Sequence, residues 1–490
     1  MSRRAIVVGA GLGGLATACH LLGAGWDVRV IERLDRPGGR AGRLERGGFR
    51  FDTGPTVLTM PGLLEDAFDA AGAKLGDHLT LSRLDPAYRA CFADGSELAV
   101  RADREAMAAE VAALCGPEEA DRFVRYCEWL GRLCRLEMDR FLDRNYDGPL
   151  DLVRPLGPAL ALLRLGALRR LDTVVRRAFR DDRLRRLFSF QSLYAGVAPQ
   201  QALGVLAVIA YMDVVAGVWA ATGGVHAVAT ALAGAVVRAG GEITYSTSVD
   251  AVATAGGDGA GGPVRGVLVG GDLLPADAVV VNADLPGAYG LLPGVRTPPR
   301  LRRAHCSPSA VVWHVGVRGT PGPGVAHHNI HFASAWAAAF RDLDQGRRSA
   351  DPSLLVSVPT VSDPALAPAG CSVLYALEPV PNLRADLDWS RLRGVVRDEM
   401  ASRVAALGYP VDVVEEELVD PVDWARQGLV AGTPFSLSHR FFQSGPFRPS
   451  NVDARVPGLV FVGTGTVPGV GIPMVLLSGK LAAARLGPGA

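Results

Sequence analysis

Apolar positions along this chain alternate between a period of two and a period near 3.6, and the changes of period mark its elements. Residues 5–9, AIVVG, form a short β-branched run. Residues 15–24, LATACHLLGA, repeat apolar side chains at helical spacing, and WDVRVIE, ending at Glu32, returns to a strand. From about 101 to 221 the pattern is mostly helical. Within it, residues 154–186 hold ten arginines against three aspartates, with leucines and valines on a helical period, as in an amphipathic interfacial helix or a helix packed on its own core. Residues 203–221, LGVLAVIAYMDVVAGVWAA, are apolar over about the length that crosses a bilayer. Asp213 at their centre costs roughly 2.5–3.5 kcal/mol on insertion scales, and Gly223-Gly224 follows, so the run reads as a helix buried within the fold. Three short strands, ITYSTSV, VRGVLVG and AVVVNAD, lie within 242–284, two of them separated by AGGDGAGGP. They predict an antiparallel meander that feeds a strand back into the main sheet. VPGLVFVG, residues 456–463, is a buried strand, and GTGTVPGVGIPMVLLSGK runs from it through a second glycine-rich loop into a helix beginning near Gly471 or Ile472.

Two strand–glycine loop–helix units therefore sit at opposite ends of one chain. In the first, Gly9 allows the tight turn, Gly11 lets the backbone approach a pyrophosphate, and Gly14 allows close packing of helix on sheet, with phosphate oxygens at the positive end of the helix. Glu32 stands about twenty residues on, where a carboxylate accepts from ribose hydroxyls. The continuation RLDRPGGRAGRLERGGFRFDTGP is not another strand–helix–strand repeat, which favours a flavin over a nicotinamide cofactor. Pro37-Gly38-Gly39-Arg40 offers free amides and a guanidinium suited to the diphosphate of FAD, and the turn from Phe51 to Thr56 can lie beside a ring system. At the carboxyl end, Gly463, Gly465, Gly469 and Gly471 let backbone lie against a ring, and Pro473 suits the first turn of the helix.

The glycine loop, Glu32, PGGR and FDTGPTVLTMP together resemble the amino end of the bacterial phytoene-desaturase family of FAD-dependent carotenoid desaturases and isomerases. HHNIHFASAWAAAF at 327–340, DPSLLVSVPTVSDPALAPAGCSVLYALEPVPNL at 351–383 and the closing glycine-rich segment match that family in order and spacing. The chain departs from the family's frequent pattern at Val467, where many relatives carry histidine before Pro-Gly. The resemblance implies an α/β fold with a Rossmann-type, glutathione-reductase-like FAD-binding domain, a mixed-sheet substrate domain and a helical subdomain. The expected division is 1–60, 222–300 and 451–490 for FAD, 61–100 and 301–450 for substrate, and 101–221 for a helical, membrane-facing part. It also implies that the carboxyl-terminal helix points at the pyrimidine side of the flavin ring, that Val249 contacts adenine and that Asn282, Ala283 and Asp284 lie near the nucleotide. The expected cofactor set is completed by Gly13, Arg33, Gly54, Pro55, Thr56, Thr464, Ile472 and Met474.

The implied chemistry is hydride transfer from an allylic carbon of phytoene or a related C40 or C30 polyene to flavin N5, with loss of a proton from the adjacent carbon. FAD carries the hydride because no side chain accepts one. His327 and His328, imidazoles near neutrality, and Asp213, an acid in an apolar run, are the candidate proton acceptors. His327 and His331 are four apart, but no supporting ligand motif accompanies them and no metal site is expected. Oxygen or a quinone is the expected electron acceptor, since no second nucleotide loop is visible. An amine-oxidase-like flavoenzyme is the runner-up, weakened because Lys74 and Lys480 are the only lysines; a prenyl-binding escort protein of the same fold is the non-enzymatic alternative.

Composition adds exclusions. A net charge of +1 supplies no field to gather nucleic acid. The seven cysteines are scattered and odd in number, as in a reduced cytoplasmic protein. The opening MSRRAIVVGAGLGG imitates a signal peptide, but its glycines fall at nucleotide-loop spacing, so export is not expected. A hydrocarbon substrate and the basic stretch together place the expected protein on the inner face of the cell membrane.

Overall fold

The computed structural model describes residues 2–152, 156–256 and 261–489. Arg154 and Pro155 of the basic stretch, and residues 257–260 of AGGDGAGGP, lie outside the described residues.

Short β-branched runs buried on both faces pair in parallel when helices cover them. Five strands form one sheet, in the order Leu459–Phe461, Ala278–Val281, Arg4–Val8, Asp27–Ile31 and the partly exposed edge strand Glu242–Thr244, every neighbour parallel. Three distant parts of the chain thus supply one sheet. The helix Leu12–Gly23 connects its two central strands and packs against the terminal helix Ile472–Leu486 and the helix His226–Arg238. Ala16, Ala18, Leu232, Ala235 and Ala482 form the small-residue core between them. ITYSTSV does not join the meander: Glu242–Thr244 pairs parallel with Asp27–Ile31 instead. It leaves the helix His226–Arg238, which crosses over the sheet and returns the chain in the parallel sense. The meander consists of Ala251–Thr254, Val264–Val269 and Asp272–Pro275, and Ala278–Val281 then re-enters the parallel sheet.

A second, seven-stranded sheet runs Asp412–Val419, Ser309–Arg318, Cys371–Val380, Leu354–Ser357, His328–His331, Tyr88–Cys91 and Glu97–Val100. It is antiparallel except where His328–His331 meets Tyr88–Cys91, so it is mixed. Alternation along Ser309–Arg318 assigns its two faces. Val311, Trp313 and Val315 pack under the helix Trp389–Ala406, while Val312 and His314 face a large cavity between this sheet and the parallel one.

The layer between 104 and 216 is mostly helical, with two departures from the sequence pattern. Residues 203–221 are not one helix. They form short turns at Gly204–Ala207 and Val208–Tyr211, a π-helical turn at Met212–Ala216, and then the strand Trp219–Ala221, which pairs with Leu81–Arg83. Gly217, at φ +104°, turns the chain between the last two. The basic stretch is likewise three helices, Leu156–Arg164, Leu171–Ala178 and Asp182–Leu187, interrupted at Gly166 and at Phe179–Asp181. Three of its arginines pair with its own aspartates, Arg176 with Asp172 at 2.8 Å, Arg183 with Asp181 at 2.7 Å and Arg186 with Asp182 at 2.8 Å.

Candidate active site

The first glycine loop leaves the helix start open. Gly11 precedes Leu12–Gly23 with no side-chain cap of its own and no acidic residue in the first turn, so the positive helix end needs an anion. A Cβ on Gly14 runs into the Gly9 carbonyl, and one on Gly13 lies 3.0 Å from the Asn282 side-chain amide, so side chains are excluded from the cradle. With its amide oxygen turned to the loop, Asn282 accepts from Gly11 and Gly14 N–H at 3.2 Å, and so braces the loop from behind. Glu32 is buried at the strand end, its two oxygens accepting from Ala10 N–H at 2.6 Å and Leu34 N–H at 2.8 Å. A carboxylate has about four acceptor positions, so it retains capacity for ribose hydroxyls. These features fit a dinucleotide.

The second loop meets the PGGR turn through side chains 424 positions apart. Arg40 Nη1 donates to Thr464 Oγ1 at 2.7 Å and Nη2 to Asp284 Oδ1 at 3.1 Å, while Asp284 Oδ2 accepts from Val430 N–H. The terminal helix also starts without a side-chain cap or an acid in its first turn, with Gly471 at φ +105° before it. Of the sequence-predicted cofactor residues, all but Gly14, Gly465 and Gly469 line one cavity of about 1510 Å³: Gly9, Gly11, Gly13, Glu32, Arg33, Gly38, Gly39, Arg40, Gly54 to Thr56, Val249, Asn282, Asp284, Gly463, Thr464 and Gly471 to Met474, whereas Gly465 faces Leu285 and Gly469 faces His439. Gly14 lies beneath the loop. FAD fits this cradle, because both helix starts lack an internal counter-charge and glycines keep its walls free of side chains.

The same cavity continues between the mixed sheet and the helical layer, where Leu162, Leu206, Ile209, Met212, Ile330 and Phe332 make it apolar. Asp213 enters this part from the π-helical turn. Burial pushes its carboxyl up to about 7, against the opposing effect of the Gln191 amide. Its negative charge acts on Tyr88 and Tyr194, and the Tyr88 hydroxyl and Gln191 Oε1 have no partner among the described residues.

The structure separates the two candidate histidines. His328 lines the cavity, with its Nδ1 2.7 Å from Ser357 Oγ; burial, then the neighbouring His327, lower its pKa to about 3, so it is neutral. His327 does not line the cavity. Its ring is held by Ser362 Oγ at 2.9 Å and the Thr56 carbonyl at 3.2 Å, and burial lowers it to about 4. His331 is spent on Tyr409, 2.9 Å away.

Sequence reasoning missed Glu137 and His314. Glu137 lines the cavity at 5% exposure; its Oε1 has no hydrogen-bond partner among the described residues, and burial holds the carboxyl well above its usual range, protonated. A signal existed: Phe123, Tyr126, Leu130, Leu133 and Cys134 form the buried stripe of one helix, and Glu137 continues that stripe. His314, between Phe51 and Tyr375, has both ring nitrogens without a partner among the described residues, and burial lowers it to about 4. Alternation along a strand marks its face and carries no sign of its isolation.

Residues 12–487 match the model of the flavin containing amine oxidoreductase family. A phytoene dehydrogenase of Streptomyces griseus is 49% identical over 98% of this chain and 94% of its own length. A zeta-carotene-forming phytoene desaturase of Myxococcus xanthus is 39% identical over 99% of this chain and 94% of its own. Among solved structures, an oxidoreductase from Methanosarcina mazei superposes with a TM-score of 0.64 at 16% identity, covering 97% of this chain and 98% of its own, which establishes a shared fold.

Proposed function

The chain belongs to the flavin containing amine oxidoreductase family and, within it, to the bacterial phytoene-desaturase group, and from that premise we propose that it is an FAD-dependent carotenoid desaturase acting on phytoene or a related polyene. The observation that carries the reading is the cavity, whose one part is a glycine-walled dinucleotide cradle and whose other part is an apolar passage bearing a few buried polar groups, Asp213, Glu137 and His328 among them. FAD, when bound, supplies the two-electron acceptor for a hydride from an allylic carbon.

The chain's own residues do the rest. Leu206, Ile209, Met212 and Phe332 exclude water and hold a flexible hydrocarbon in one line, which removes much of the entropic part of the barrier. Asp213 receives the proton from the carbon next to the one that loses hydride, and a pKa near neutrality suits a group that must take up and release a proton. The Gln191 side chain favours its ionised form. His328 stays neutral and, through Ser357, holds Thr56 against the ring side of the cradle. Neither lysine lines the cavity, since Lys74 pairs with Asp69 and Lys480 with Asp66 and Asp143, so the structure gives the amine-oxidase alternative no lysine–water pair.

The passage opens among exposed apolar side chains. Leu156 (66% exposed), Leu160 and Leu163 share one face of a helix whose Leu162 lines the cavity. Phe442 (74% exposed) lies beside Phe441 and Phe447, which line it too. Among the described residues no helix is long and apolar enough to cross a membrane. These side chains suit shallow insertion into one leaflet, with the mouth opening where a hydrocarbon dissolves. The function is tested by anaerobic incubation of the FAD-loaded protein with phytoene in liposomes. Bleaching of the oxidised flavin band together with new polyene bands is expected; bleaching without polyene points to another donor, and no bleaching overturns the reading.

A further inference from the structure

Behind the second glycine loop lies a buried cation without a paired anion. Arg448 is 3% exposed. Its Nε donates to the Thr466 carbonyl at 2.8 Å, Nη1 to the Gln443 carbonyl at 3.2 Å, and Nη2 to the Leu437 carbonyl at 3.3 Å and to the Thr464 carbonyl. Every acceptor is backbone, and no carboxylate lies within ion-pair distance among the described residues. Asp284 is the acid whose charge reaches it, and that acid is already engaged by Arg40. Thr464 is therefore held by two guanidiniums, Arg40 on its hydroxyl and Arg448 on its carbonyl, and the cluster of Arg40, Arg448 and Asp284 carries one positive charge in excess.

Burying an unpaired charge is costly, and carbonyl dipoles offset only part of that cost. The excess adds to the uncapped start of the terminal helix, which the same loop leads into and which lacks any acid in its first turn. Both sources of positive potential lie along residues 463–471, and among the described residues Asp284, already shared with Arg40, offsets them only in part. A hydride brings one hydrogen nucleus and two electrons, so a neutral oxidised ring gains one negative charge when it accepts one, while the proton lost by the substrate goes to the Asp213 carboxylate.

We infer that Arg448 is a positioning residue that fixes the 463–471 loop through the Thr464 and Thr466 carbonyls and supplies the charge that favours reduced, anionic FAD over oxidised FAD. This rests on FAD being the cofactor and not on the identity of the polyene.

The test is the two-electron midpoint potential of the FAD-loaded protein, measured against reference dyes without any polyene, together with the affinity for oxidised FAD. Arg448→Met is expected to lower the ratio of reduced to oxidised FAD affinity at least tenfold, a fall of about 30 mV for a two-electron couple. Arg448→Lys, which keeps the charge, is expected to stay within threefold of the parent. Asp284→Asn adds a further net positive charge to the cluster and is expected to shift the potential upward. This opposite sign keeps the inference testable if the methionine variant does not fold. Arg448→Met that weakens oxidised and reduced FAD equally, or Asp284→Asn that leaves the potential unchanged or lower, overturns it. Failure of phytoene oxidation with these shifts intact strikes the proposed substrate alone.

Discussion

Thr56 Oγ1 and Ser357 Oγ stand 2.9 Å apart, 301 positions apart in sequence, and Ser357 also meets His328 Nδ1 at 2.7 Å. This contact fastens the turn that follows the dinucleotide cradle to the sheet lining the apolar passage. It fixes the distance between the place for the ring and the place for the polyene.

Ser357→Ala leaves a buried imidazole nitrogen and a buried threonine hydroxyl without their shared partner. The expected cost is about 1–3 kcal/mol of stability. Thermal unfolding of the FAD-loaded protein reads this directly, and kcat should fall more than affinity for FAD because the cradle itself is intact.

Asp213→Asn should lower single-turnover flavin reduction by about 10²–10⁴-fold, the usual range for a general base, while the oxidised flavin spectrum is retained. With burial holding the carboxyl at about 7, the parent's rate should rise with pH through neutrality and level off above it, and the variant should lose that limb. The sign for stability is opposite. The folded pKa lies above the ordinary 3.8, so this group's contribution is fully present below about 4 and is lost as pH rises through about 7. Urea unfolding at pH 5 and pH 8 measures the slope, which Asp213→Asn should flatten.

Glu137→Met replaces a buried carboxyl, whose Oε1 has no partner among the described residues, with an apolar group of similar length. Removing an unsatisfied buried polar atom should stabilise the protein by about 1–3 kcal/mol, more at alkaline pH, where the parent must begin to ionise the acid. A parent and variant with equal urea midpoints at pH 8 would show that the carboxyl is already satisfied in solution.

Gly479 lies where the terminal helix crosses the first helix, and a Cβ there meets the Gly13 carbonyl and Thr17 N–H at 2.8 Å. Gly479→Ala should therefore push the two helices apart and cost about 1–3 kcal/mol as overpacking. Because both helix starts line the same cavity, FAD retention on gel filtration should fall with it.

Leu160→Asp combined with Phe442→Asp should reduce flotation with liposomes severalfold and leave desaturation of detergent-dispersed phytoene intact. Unchanged flotation would remove the proposed leaflet contact without touching the chemistry.

Local rules made part of this molecule readable. The two strand–glycine loop–helix units, Glu32 and the PGGR turn are read from neighbours in sequence, since a tight turn, an open helix start and a strand end are set by residues only a few positions apart. Other features needed the assembled fold. Arg448 in GPFRPSN carries no local sign of being buried, because its partners come from Leu437, Thr464 and Thr466, which only tertiary packing brings around it. His327 and His328 are adjacent in sequence, yet opposite pointing along a strand gives one to the cavity and the other to Ser362 and Thr56. The apolar run 203–221 suggested one helix, but the helical turns end at Gly217 and Trp219–Ala221 pairs with Leu81–Arg83, while Asp213 lines the cavity from the π-helical turn. Short-range sterics and hydrogen bonding determined where a dinucleotide can be held. Long-range packing decided which side chains lost water and partners, and that loss is what makes Asp213, Glu137 and Arg448 chemically unusual.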